Sequence, residues 1–139
     1  MTTPYNEGVL TDRLGSFQDR VFDAAALPNT ASIESDVFQL GKVQGAVELS
    51  VIANSEITIA DTESITFELF YDDAEDGDFT DSIVMKAFLA SGSALVFGAD
   101  TTLFNYTPST DVAQYAKVKV TTTAAQSAGA IDGKLFRTA

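Results

Sequence analysis

The sequence predicts an all-β fold, a jelly-roll-like β-sandwich with an N-terminal arm, and three observations lead there. Apolar and polar residues alternate with period two over much of the chain after residue 35. Gly, Asn, Asp, Ser and Pro cluster between the alternating runs at spacings of about 8–12 residues, the rhythm of a sandwich or barrel. A length of 139 residues with 45% hydrophobic and 20% charged content suits one globular domain with its own core.

The first thirty residues differ from the rest. Leu10, Leu14, Phe17 and Val21 follow one another at steps of four, three and four, which suits one face of a short helix. Gly15 lies within that stretch and weakens a helix by about 1 kcal/mol. Ala24-Ala25-Ala26-Leu27-Pro28-Asn29 reads as a linker closed by a Pro-Asn turn. Residues 1–30 are therefore read as an arm, partly helical at most, with an ordered first layer of the domain as the alternative, and residues 31–139 as the sandwich.

Three runs carry the strand signal most clearly. Val47, Leu49 and Val51 alternate with Glu48 and Ser50. Ile65, Phe67, Leu69 and Tyr71 alternate with Thr66 and Glu68, and Ala116, Val118 and Val120 with Lys117 and Lys119. Each places one face on a core and the other outward. Shorter candidates lie at 36–40, 57–59, 83–89, 94–97, 103–106 and 131–137, with turns marked by Gly41, Asn54-Ser55, Asp76-Gly77, Ser91-Gly92-Ser93, Pro108-Ser109 and Gly129. About nine short strands suit a jelly roll, which packs two sheets of roughly eight strands in all.

Charge and composition exclude several functions. Eight Lys plus Arg stand against twenty Asp plus Glu, a net charge of −12. Nucleic-acid affinity comes from clustered cations, and Lys117 with Lys119 is the one basic pair on an apparent strand, so no DNA or RNA partner is expected. Cysteine and histidine are absent, which removes disulfides, thiolate metal sites and the commonest catalytic bases and nucleophile pairs. No P-loop is present. The expectation is a protein that is not an enzyme and needs no cofactor. The opening residues lack a basic and apolar leader, and no apolar run approaches the roughly 20 residues of a membrane span. A soluble protein, made intracellularly and unprocessed, with no membrane partner, is expected.

Two clusters invite a ligand. Asp72-Asp73-Ala74-Glu75-Asp76-Gly77-Asp78, with Asp81 beyond, has the oxygen density of a calcium site. Counted from Asp72, however, Ala74 and Ile83 fall where a calcium loop needs ligands, so a solvated inter-strand loop is the expected role and no metal is assigned. Tyr71, Phe104 and Tyr106 could form a stacking platform for sugars. Trp is absent and most of the ten Phe fall on or beside strand runs, where core or interface packing accounts for them.

Larger stretches carry a resemblance. Thr30-Ala31-Ser32 leading to Asp36-Val37-Phe38-Gln39-Leu40-Gly41 is one. Ile65-Thr66-Phe67-Glu68-Leu69-Phe70-Tyr71-Asp72-Asp73 with its acidic loop is another. The third is Gln114-Tyr115-Ala116-Lys117-Val118-Lys119-Val120-Thr121, then Ala128-Gly129-Ala130-Ile131 and Leu135. From about Thr30 to the C-terminus the chain resembles the jelly-roll cementing, or decoration, proteins of tailed bacteriophage capsids, of the Bordetella phage type. The resemblance rests on strand-and-turn patterns and brings no catalytic residues. It implies a virion protein, commonly a homotrimer, on the outer capsid surface, bridging neighbouring major capsid proteins. The competing function is a carbohydrate- or receptor-binding jelly-roll module of a phage fibre or tail.

Two expectations about contacts follow. Residues before Thr30 have no counterpart in that family, and Leu10, Leu14, Phe17, Val21 and Phe22 are expected to meet a partner. Ile52, Phe70, Phe88 and Phe136 fall on nominal outer faces, where oligomer formation would cover them.

Overall fold

The computed structural model describes residues 19–28, 31–40, 47–108, 114–123 and 129–137. Eleven strands and no helix occur among them: β1 (Asp19–Ala26), β2 (Ser32–Glu34), β3 (Phe38–Gln39), β4 (Val47–Ala53), β5 (Ile57–Ile59), β6 (Ser64–Asp72), β7 (Asp81–Leu89), β8 (Leu95–Phe97), β9 (Thr102–Tyr106), β10 (Tyr115–Thr122) and β11 (Ala130–Arg137). One sheet has the order β9-β4-β11-β1. The second has the order β2-β10-β6-β7, with β3 also on β10, and β5 pairs with β8 alone. The pairings are antiparallel throughout.

This order defines the fold. Count β2 and β3 as one interrupted strand and leave out the β5–β8 pair. The first sheet then reads first–eighth–third–sixth, and the second reads second–seventh–fourth–fifth. Two sheets interleaved in this way are a jelly roll, as expected from the sequence.

The core forms where the alternating faces meet. In the first sheet Leu49 opposes Leu135, Val51 opposes Gly133 and Ala53 opposes Ile131. In the second, Phe67 opposes Val120, Leu69 opposes Val118 and Tyr71 opposes Ala116, so large residues sit beside small ones. All but Tyr71 and Gly133 belong to the fully buried apolar core, which also takes in Ile57 and Ile59 of β5. The Phe67 ring reaches across to Phe104 of the other sheet, with centroids 5.0 Å apart. Thr122 is the polar group buried at the end of β10, and its hydroxyl donates to the Pro28 carbonyl at 2.7 Å.

The N-terminal region departs from expectation. The spacing puts Val21 on a helix face and residues 24–29 in a linker, whereas in the structure β1 is a strand paired with β11, its one neighbour among the described residues. Phe22 is buried, 6% exposed, and Val21 packs against the core. Phe22 is thus used inside the domain and is not free for a partner. The space it needs comes from Gly133, where a Cβ would lie 3.2 Å from both the Phe22 ring and the Val21 Cβ. Leu10, Leu14 and Phe17 lie outside the described residues.

This arrangement moves the boundary at which the chain can be cut. A truncation that lacks residues 1–18 keeps β1 and serves as the reference. Deleting 1–29 removes β1 and uncovers the Ile131–Leu135 side of the core, and should cost several kcal/mol. Thermal melts of the two truncations check this, and equal melting temperatures would contradict the role given to β1.

Candidate interaction surface

Phase shifts in the strands decide which side chains face outward. Along β7 the register jumps: Phe67 pairs with Lys86 and Glu68 with Val84, leaving Met85 as an extra residue. Such a bulge reverses the in–out alternation beyond it. Ile83 and Met85 point to the core before it, and Phe88 after it. Phe88, expected on an outer face, instead packs inside, against Phe67 at 6.4 Å and Phe97 at 5.0 Å. Ile52, Phe70 and Phe136 are half-buried.

Beyond the bulge the reversal turns Ala87 and Leu89 outward, to the side that Val84 already faces before it. Val84, opposite Glu68, is 56% exposed, and Leu89, opposite Ser64, is 65% exposed, with exposed Ala87 between them opposite Thr66. They form an apolar strip along β7, which has a partner on one side only among the described residues. Val96 of β8 is a further exposed apolar residue, at 57%. Exposed large apolar groups gathered on one strand mark a surface suited to another protein. Unbroken alternation from Ile83 puts Leu89 inside, and no local signal in the sequence marks the bulge that turns it out.

Next to the strip, the outer face of the second sheet is polar and self-covered. Lys117 donates to Glu34 at 3.0 Å and lies over the Phe79 ring, 5.3 Å from its centroid. Lys119 lies over Phe70 at 5.7 Å. Lys117 is thus held by an acid of its own sheet and a loop ring, and Lys119 by a ring of its sheet; cation–π contacts of this kind contribute about 0.5–1 kcal/mol at exposed sites.

The acidic loop is an ordered turn. Asp72 accepts the N–H of Ala74 at 3.0 Å and of Phe79 at 3.2 Å. These bonds, Ala74 first, hold its carboxyl below the ordinary value against the opposing effect of desolvation. Phe79, in a left-handed conformation with φ 52°, is 6% exposed and anchors the loop. A Cβ at Gly77 would run into the Asp72 carboxyl, so a side chain there would have to displace that carboxyl from its place beside the loop amides. Asp72 faces its own loop's amides, and among the described residues no three carboxylates gather as a metal site would require.

Tyr71, Phe104 and Tyr106 come together as components of the domain. All three are partly buried against the core. Burial, and then the neighbouring Tyr71 phenol, raises the Tyr106 hydroxyl above its usual pKa.

No protein-family model matches the chain, and no curated protein sequence does. Among solved structures it is similar to the VP2 subviral particle of infectious bursal disease virus, with 15% identity and a TM-score of 0.41 over 86% of this chain. It is also similar to T=1 particles derived from infectious bursal virus, with 14% identity and a TM-score of 0.39 over 86% of this chain. The chain spans 31% and 30% of those proteins. The structures it resembles are thus viral particle proteins, and at these scores the likeness carries no further argument.

Proposed function

We propose that this protein is a decoration protein that binds the outside of an assembled phage head and cements it. The exposed strip Val84–Ala87–Leu89 is the observation that carries the reading, because it offers an apolar contact on an otherwise acidic chain. The resemblance over residues 30–139 supports the same role, and the jelly roll supplies a rigid support. A net charge of −12 suits the outer surface, since the inner wall faces packaged DNA that would repel it.

The partner in this proposal is the major capsid protein, and a homotrimer multiplies its contacts. A specific interface buries about 1,000 Å² or more, and linked copies gain affinity through avidity. A composite surface present only on the assembled shell makes binding stabilise that state by mass action. Leu10, Leu14 and Phe17 are proposed as added contacts to a neighbouring subunit or to the capsid. The protein has no catalytic task in this role.

Electron microscopy of intact particles, with light scattering of the free protein, tests the proposal. Density on the outer shell, and particles that lose DNA at lower temperature when the protein is missing, are the expected results. Finding the protein inside the shell, in the tail, or absent from purified particles would refute it. Glycan affinity without capsid affinity would favour the fibre or tail module.

A further inference from the structure

The N-terminal strand is held by more than strand pairing. β1 and β11 pair at Ala26–Ala130 and Ala25–Ile131, then at Phe22–Gly133, so Asp23 and Ala24 together face the single residue Asp132. Ala24 is left-handed, with φ 50°, a conformation that residues with a Cβ adopt only under strain. It has no place in the ladder register, and its N–H donates instead to Asp132 Oδ1 at 2.8 Å. The other carboxylate oxygen accepts from Asn54 Nδ2 at 3.1 Å, in the turn between β4 and β5. The Asn54 N–H in turn donates to the Ala130 carbonyl at 2.8 Å. One carboxylate therefore fixes both the bulge in β1 and the adjoining turn.

We propose that Asp132 is an acid-sensitive latch for β1. Charged, it keeps the strand seated with Phe22 in the core. Protonated, it lets the strand leave while the rest of the sandwich stays folded. Arg20 of β1 and Lys134 of β11 are the cations that bear on it. Arg20 also pairs with the exposed Asp23 at 3.0 Å, which makes Asp23 the second carboxylate on this face. Asn54 brings no charge from the turn.

The direction in pH follows from the same contacts. Desolvation raises the Asp132 carboxyl, but the Ala24 N–H, the Asn54 amide and then Arg20 and Lys134 outweigh it, leaving it below its usual 3.8. A group lowered in the folded state stabilises fully above its unfolded value and loses that contribution as pH falls through the folded one. Release therefore belongs to acid solution.

Hydrogen exchange on the full chain, read as protection factors at neutral pH and at about pH 3, tests the latch. In the wild type, residues 20–26 should lose protection in acid at least about tenfold more than β6 and β10. Asp132→Asn and Asp132→Ala should show that loss already at neutral pH and little further change in acid. Asp23→Asn should behave as the wild type. Unchanged β1 protection in both Asp132 variants would overturn the proposal, as would loss of β1, β6 and β10 together in acid. Asp132→Asn, nearly isosteric, keeps the test decisive if the alanine variant fails to fold.

Discussion

Replacing Phe67 by alanine should lower the stability of the domain by about 3–5 kcal/mol. Its ring is fully buried and touches both sheets, meeting Phe88 edge-on and Phe104 across the core. Its loss opens a cavity that neither backbone can close without disturbing the β6 ladder, which is paired on both sides. Ring pairs add about 0.5–1.5 kcal/mol beyond area burial, so the cost belongs at the upper end. The denaturant midpoint should fall with an unchanged slope. Val96→Ala, at a residue 57% exposed, should stay within about 0.5 kcal/mol. A Phe67→Ala loss no larger than that of Val96→Ala would show that the core repacks freely.

The second large effect concerns the particle. The double change Val84→Asp and Leu89→Asp should leave the melting temperature almost unaltered, because both side chains are mostly exposed. It should weaken binding to assembled heads by at least about a hundredfold, since central apolar contacts often contribute 2 kcal/mol or more each and a buried carboxylate adds a desolvation cost. Co-sedimentation with particles lacking the protein measures it. Normal binding by the folded double variant would take the strip out of the interface.

The sequence made the interior strands legible and obscured the edges, for a physical reason. β4, β6 and β10 each lie between two neighbours, so one face meets the core and the other looks outward, and alternation records that division directly. β1 has one neighbour among the described residues and carries a bulge. Val21 and Phe22 stand side by side, three alanines follow, and no run is long enough to show period two. The helical spacing from Leu10 to Val21 then looked like the better pattern. β7 was found as a strand, but the extra residue Met85 exchanged the faces of Phe88 and Leu89. That single shift hid the apolar strip. Phe79 was hidden differently, since a lone aromatic after an acidic run gives no periodic signal, although it anchors the loop.

The position of β11 bears on how the chain comes to be folded. β11, the last of the described strands, runs between β1 and β4 and supplies Ile131 and Leu135 to the core. β1 leaves the ribosome more than a hundred residues before the strand it pairs with, and until then β4 has an open flank. Such distant pairings close slowly, because the intervening chain must be ordered before they form. The nascent chain therefore carries unpaired strand edges from the synthesis of β1 until β11 has been made, and the surplus of carboxylates keeps one unfinished copy away from the next.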